Sequence, residues 1–235
     1  MKLVVFQQPI FPTIQGEGVL VGTPSTFVRL WGCDFSCSWC DTKKSWEPGS
    51  SFVDVSPSAV LDEVKAAKLR HVVITGGNPL LQGDELGEVI KPLWLEGGYH
   101  VTIETQGSVF HPVVRHANLL SLSPKLHDWR QTALDDLLRL SSTHSTLMAQ
   151  IKIVVQDASE IDQAIVKFRE LDETRKVRSN DPTRLVFVLQ PEYSVTKKVV
   201  SLCLDAVQKE TSRTPRFASR IKIIPQLHKT ALSVV

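Results

Sequence analysis

The 235-residue sequence has no apolar stretch long enough to span a bilayer, which argues against a membrane-embedded chain. Its first residues, MKLVVFQQPIFPTIQGEG, interrupt a short apolar run with Gln and Pro and show no signal-peptide cleavage pattern, so a cytoplasmic protein is expected. Charge of one sign is also lacking. Lys and Arg number 27 against 25 Asp and Glu, and a net charge of +2 is far from the basic surplus that marks duplex nucleic-acid binders. Neither a membrane nor a nucleic acid is therefore an expected partner. No fixed-period repeat and no low-complexity tract is present, and solenoid and fibrous architectures drop out with them. Cysteine is scarce: the four present are too few and too bunched for the dispersed disulfide framework of a secreted protein.

What remains is an ordinary globular composition, 42% hydrophobic and 22% charged, at a length that one large domain can fill. Short runs of Val, Ile and Leu alternate with longer amphipathic stretches, as in βα units around a parallel sheet. The expected strands are 25–31, 71–75, 100–105, 118–123, 148–155 and 184–189, with 220–225 a further candidate and 2–6 preceding them all. Most are continuous apolar runs, the mark of strands covered on both faces. Helices are expected over SPSAVLDEVKAAKL, where Ser56 can cap and Pro57 takes the first helical position, and over 84–96, 159–171 and 195–210. The charged segment 172–184 reads as a solvated loop or helix end. Nearly every strand ends in a polar or glycine-rich cluster: TGGNP (75–79), ETQGS (104–108), SPK (123–125) and QPEY (190–193). In a parallel α/β sheet such clusters converge at the carboxyl ends of the strands, where ligands bind.

Three of the four cysteines, Cys33, Cys37 and Cys40, fall in the loop GCDFSCSWCDT with spacing C-x3-C-x2-C. Closing so short a loop costs little chain entropy, so three thiolates there can bind one metal centre. A structural zinc ion would need a fourth ligand from a distance, since His71 is the nearest histidine and Cys203 is remote. A disulfide would leave an odd thiol, and inert buried cysteines fit poorly with so polar a loop. A [4Fe–4S] cluster held by three thiolates leaves one iron open, a place where S-adenosylmethionine can bind and undergo reductive cleavage.

The cysteine spacing, with Trp39 before the last thiol, resembles the cluster signature of the radical S-adenosylmethionine (radical SAM) enzymes. PTIQGEG (12–18) upstream, with CDT, TGGNP, ETQG, SPK, LQP and the terminal PQLH (225–228) downstream, resembles the 7-carboxy-7-deazaguanine synthases of that superfamily, from about Thr13 to His228. That resemblance implies an α/β fold of the incomplete (β/α)6 radical SAM barrel type. It divides a single domain over 1–235 into an N-terminal strand and substrate loop (1–24), a βα core (25–225) and a C-terminal tail (226–235). The implied reaction converts 6-carboxy-5,6,7,8-tetrahydropterin to 7-carboxy-7-deazaguanine with loss of ammonia.

The resemblance also implies roles. Cys33, Cys37 and Cys40 would hold the [4Fe–4S] cluster, and Thr42 a Mg²⁺ ion, for which a hard hydroxyl oxygen is suited. Trp39, Cys40, Asp41, Gly77, Ser123, Pro124, Lys125 and Gln190 would contact S-adenosylmethionine. Ile14, Gln15, Gly16, Glu17, Arg29 and Thr75 would contact the pterin, with Arg29 suited to its carboxylate. Glu104 and Gln106 lie on the ligand side of the sheet without an assigned role, and His127 and His228 are not expected to act as acid–base catalysts. An electron donor such as flavodoxin or ferredoxin and a homodimer covering the open barrel edge complete the expected partners. The rival readings are a glycyl-radical activating enzyme, many of which carry further cluster cysteines, and a non-catalytic zinc or iron–sulfur protein.

Overall fold

Seven strands lie side by side in parallel. In a computed structural model describing residues 2–176 and 184–231, they are β2 (Pro24–Leu30), β4 (His71–Gly76), β5 (His100–Thr105), β6 (Leu119–Leu122), β7 (Met148–Val155), β8 (Leu185–Pro191) and β9 (Ile221–Ile223). Their apolar runs are buried on both faces: Val72, Val73 and Ile74 of β4 are all fully inaccessible, as are Val101 and Ile103 of β5. Such runs lose nothing by lacking alternation, because helices cover the outer face and packed side chains fill the inner one. Two further strands extend the sheet. β1 (Leu3–Ile14) runs antiparallel to β2, with a register irregularity between Val5 and Ile10, and β3 (Phe52–Val55) runs antiparallel to β1. The order is β3-β1-β2-β4-β5-β6-β7-β8-β9, and β3 and β9 are its two unpaired ends. The sheet is therefore unclosed, as the incomplete-barrel expectation requires, with one short parallel strand beyond six.

The helices start where local chemistry sets them. In α1 (Pro57–Ala66) the Ser56 hydroxyl accepts from the Ala59 amide at 3.2 Å, and Pro57 occupies the first turn, where no amide donor is needed. In α2 (Gly83–Glu96) Asp84 and Glu85 lie in the first turn, and Leu86, Val89, Ile90 and Leu93 form the buried stripe. α4 (Ala158–Lys176) and α5 (Thr196–Arg213) cover the sheet after β7 and β8, followed by the short α6 (Pro215–Ala218) and α7 (Leu227–Ala231), whose numbering leaves α3 for Gln131–Thr143.

Several expectations need correction. The strand expected over 2–6 continues to Ile14, because its partner β2 runs beside it to the loop at residues 15–23. β3 was not expected; its side chains are exposed or half-buried, so no apolar run marks it. α3 was also unexpected, although Leu134, Leu137, Leu138 and Ser141 make a buried i, i+3, i+4, i+7 face. β5 and β6, between which no helix was expected, are joined by a 3₁₀ turn over Pro112–His116. The charged segment begins as a helix end, the last turn of α4, as one of its two readings has it, but not a solvated one at Asp172, which is 2% exposed and paired with Arg220. Residues 177–183 of that segment lie outside the described residues. Among the described residues, no helix is long and apolar enough to cross a membrane.

Candidate active site

The carboxyl ends of the parallel strands open into a cavity of about 430 Å³, within the size range of small-molecule sites. β2 brings Arg29 to it, β4 Thr75, β5 Glu104, β7 Lys152 and β8 Gln190. The cysteine loop, the 14–17 loop and the segment at 226–229 complete its wall. Of the residues expected from the sequence, all but one line this cavity; Pro124 is buried behind it.

The cysteine loop has no regular secondary structure and is closed by hydrogen bonds. Gly32 donates its amide to the Ser45 carbonyl (2.7 Å), Asn78 donates its own to the Gly32 carbonyl (2.7 Å), and Cys40 donates to Cys37 (3.2 Å). The glycines of TGGNP also have a packing role. A Cβ on Gly77 would lie 2.0 Å from the Gly32 carbonyl oxygen, and one on Gly76, at φ +135°, would lie 2.0 Å from that of Leu30. They let β4 press against β2 and the cysteine loop, and so fix that loop, while both also line the cavity.

Burial pushes the Cys33 thiol up to about 11 and raises that of Cys37, against which the Lys125 ammonium acts. Holding three thiolates side by side at neutral pH therefore calls for a cationic centre among them. Around one tetrahedral zinc ion the sulfurs would be about 3.8 Å apart. The described residues contain one set of thiol, imidazole and carboxylate atoms gathered within 4.8 Å, and it is Glu17, Asp41 and His228, not the cysteines. The wider spread of the thiols and their all-sulfur chemistry fit a polynuclear iron–sulfur centre. Cys203, fully buried on α5, takes no part.

On the facing wall the polar groups form a connected set. The Gln15 amide donates to Glu104 Oε1 (2.9 Å), and Thr75 Oγ1 donates to Glu104 Oε2 (2.9 Å). Gln15 Oε1 accepts from the Glu17 amide at 3.1 Å. Glu17 is ion-paired with Lys152 and accepts from Gln226 Nε2 at 2.7 Å. Burial resists ionisation of Glu17, yet the Lys152 ammonium beside it prevails and holds its carboxyl below the ordinary range; Lys152 is in turn raised against its own burial. Asp41 lies at the exposed edge. Burial resists its ionisation too, but His228 at 3.4 Å and Lys229 at 3.8 Å hold its carboxyl far below the usual range. With Lys152 and Lys229 already against them, Glu17 and Asp41 are poorly placed for a further cation.

Some groups are buried without a partner. Arg29 Nε and both amide atoms of Gln190 have none among the described residues, and Gln190 is 1% exposed. Burial lowers the Arg29 guanidinium, while Asp41 and Glu104 act to keep it charged; it lies 5.1 Å over the Phe11 ring. Leaving such groups bare costs free energy, and cavity-facing ones are satisfied when a polar ligand arrives. Ser123 Oγ accepts from Lys125 at 3.3 Å, and the Lys125 ammonium, lowered by burial, lies 4.9 Å over the Trp39 ring. Thr42 Oγ1 donates to Asp41 Oδ1 at 3.3 Å.

Sequence reasoning missed Lys152, Gln226 and Trp46. For Lys152 a signal was present: a lysine inside the otherwise apolar MAQIKIVV requires a buried partner if both faces of the strand are covered. His228 packs against the 14–17 loop and lines the cavity. Its side chain fills the space a Cβ on Gly16 would need, 2.4 Å from Nδ1, while the Leu227 amide donates to the Gly16 carbonyl at 2.9 Å.

Comparisons with known proteins agree with this geometry. Residues 31–140 match the Radical SAM superfamily model. The chain is 35% identical over 191 residues to the 7-carboxy-7-deazaguanine synthase of Halobacterium salinarum, covering 71% of each. It is 31% identical over 223 residues to the enzyme of that name from Aquifex aeolicus, covering 94% of this chain and 90% of that one. Among solved structures it resembles QueE from Escherichia coli, with a TM-score of 0.68, 26% identity, and coverage of 97% of this chain and 95% of the other.

Proposed function

The chain belongs to the 7-carboxy-7-deazaguanine synthase family of radical SAM enzymes, and from that premise we propose how its residues share the work. The reaction is conversion of 6-carboxy-5,6,7,8-tetrahydropterin to 7-carboxy-7-deazaguanine with loss of ammonia, a lyase step of deazapurine biosynthesis. Its cofactors are a [4Fe–4S] cluster, S-adenosylmethionine and Mg²⁺. Bound together, they supply one-electron cleavage of a sulfonium and hence hydrogen abstraction from an unreactive C–H bond.

Cys33, Cys37 and Cys40 hold the cluster. Trp39, Asp41, Gly77, Ser123, Lys125 and Gln190 border the S-adenosylmethionine subsite, with Pro124 supporting it from behind. Lys125 presents its ammonium where a cofactor carboxylate needs a counter-charge. Ile14, Gln15, Gly16, Glu17 and Thr75 hold the pterin edge, Arg29 takes the substrate carboxylate, and Thr42 offers its hydroxyl to Mg²⁺. The observation that carries this reading is that the thiols, the Arg29 guanidinium and the Gln190 amide, the last two with polar atoms lacking a partner among the described residues, line one cavity. The protein's contribution is placement: Glu104, pinned by Gln15 and Thr75, and Glu17, pinned by Lys152 and Gln226, present fixed acceptors to the donor edge of a pterin. Aromatic walls from Phe11, Phe27, Phe35 and Trp46 help to exclude water.

A single continuous sheet supports treating the chain as one domain, and Cys203's burial supports a single small-molecule site over an activase with further clusters. A flavodoxin or ferredoxin as electron donor, a homodimer covering the sheet edges and a cytoplasmic location belong to the same proposal. Anaerobically reconstituted protein, given reductant, S-adenosylmethionine, Mg²⁺ and carboxytetrahydropterin, is expected to yield the deazaguanine together with 5′-deoxyadenosine. Cys37→Ala is expected to abolish both products and the brown colour. Colourless wild-type protein with one zinc per chain, or cofactor cleavage without ring contraction, would overturn the reading.

A further inference from the structure

Two of the three thiols are met by side-chain N–H groups that the binding roles above leave unused. Gln106, on the loop after β5, donates Nε2 to Cys33 Sγ at 2.9 Å and to the Gly77 carbonyl at 3.0 Å. Trp46, just past the turn that closes the cysteine loop, donates Nε1 to Cys40 Sγ at 3.3 Å. Neither orientation is arbitrary. Turning the Gln106 amide over would set its oxygen against two acceptors, the sulfur and the Gly77 oxygen, and indole nitrogen can only donate. Gln106 Oε1 is itself buried without a partner among the described residues, so the side chain is held by its donor end. The Phe35 amide, at 3.4 Å, gives Cys33 a second donor. Cys37 Sγ is met by its own backbone amide, and the positive charge facing it is Lys125.

We propose that Gln106 and Trp46 are positioning residues that set the reduction potential of the cluster through N–H···S hydrogen bonds to Cys33 and Cys40. This rests on the reading of those thiols as cluster ligands. Reduction adds one negative charge to a centre already surrounded by thiolates. An N–H dipole with its positive end on a ligating sulfur stabilises the reduced state more than the oxidised one, and more strongly in a buried site than in water. The two donors also fix the rotamers of the outer cysteines, as partners beyond the ligands do at other metal sites. Removing either donor therefore moves the potential to more negative values, and removing both adds the two shifts.

The test is an EPR-monitored redox titration of the full-length, anaerobically reconstituted chain, with iron and sulfide quantified for every variant. Trp46→Phe and Gln106→Met are each expected to retain a full cluster and to shift the potential negative, and the double variant to shift it by the sum. Gln106→Glu, isosteric but carrying a negative charge beside the sulfur, is expected to lie lower still, an order that loss of packing alone does not produce. Full clusters with unchanged potentials in Trp46→Phe and Gln106→Glu overturn the proposal, as does a shift to positive values. If Gln106→Met takes up no cluster, these two variants decide by the same rule. Failure of the wild-type chain to assemble a cluster would instead overturn the reading of the thiols.

Discussion

The two ends of the parallel sheet handle buried polar groups in opposite ways. At the amino end, Ser25, His71 and Thr102 form a closed chain: His71 Nδ1 is 2.6 Å from Ser25 Oγ, and Nε2 is 2.8 Å from Thr102 Oγ1. Ser25 gives its own proton to the Thr23 carbonyl, so Nδ1 carries the imidazole proton and Nε2 accepts from Thr102. The ring is neutral and both nitrogens are paired; its neighbour His100, edge-on at 5.2 Å and lowered by its own burial, leaves Nδ1 without a partner among the described residues. At the carboxyl end the groups are charged, and Arg29 Nε and the Gln190 amide have no hydrogen-bond partner among the described residues. The His71 chain is completed by folding alone, whereas Arg29 and Gln190 are left for a ligand to complete. Substitutions at the first should therefore change stability, and those at the second chiefly binding.

Lys152→Met is the severest challenge to that division, because the site's own ion pair is also structural. Removing the ammonium leaves Glu17 charged and buried, and the expected loss is about 3 kcal/mol in urea unfolding, the low end for a broken buried pair since Gln226 still donates to Glu17. The double variant Glu17→Gln/Lys152→Met should recover much of it, and a double-mutant cycle showing no coupling would contradict the pairing.

At the amino end the effect is one of pH. Burial lowers the folded-state pKa of His71 to about 4 from an ordinary 6.5, so the unfolded chain binds the extra proton first. Stability contributed by neutral His71 is complete above about pH 6.5 and falls as pH drops toward 4, by at most about 3 kcal/mol. His71→Gln should flatten the stability profile in that window while leaving substrate affinity at neutral pH unchanged. A profile as steep as the wild type would remove His71 as the cause.

The smallest effect sharpens the contrast. Arg29→Ala should weaken substrate binding by roughly 10- to 100-fold, the value of charge-assisted hydrogen bonds to one carboxylate, with cluster absorbance and urea midpoint nearly unchanged. Isothermal titration of the reconstituted protein measures the first. A lost cluster would mean that Arg29 belongs to the loop rather than to the substrate.

Much of the fold was legible because parallel strands covered on both faces announce themselves as unbroken apolar runs, and because Ser56 and Pro57 mark a helix start. β3 was not, since an exposed edge strand has no apolar pattern to read, and α3 was overlooked although its leucine spacing was there. The cysteine loop was legible from spacing alone, and the motifs around it named a family. The site's cross-connections were not. Gln106 and Trp46 reach sulfur only because separate loops converge, and no local pattern tells that TGGNP packs against Gly32 or that Lys152 answers Glu17.

The hydrogen bond between Gln226 and Glu17 spans 209 residues of chain. Local contacts form early in folding and distant ones late, when loop-closure entropy has already been offset. The cysteine loop, whose ligands lie within eight residues, can gather while much of the chain is still on the ribosome; the wall made by residues 226–229 cannot exist until more than two hundred residues have been made. Synthesis order thus separates the two halves of the site: every residue of the metal-binding loop is made before those that close the chamber.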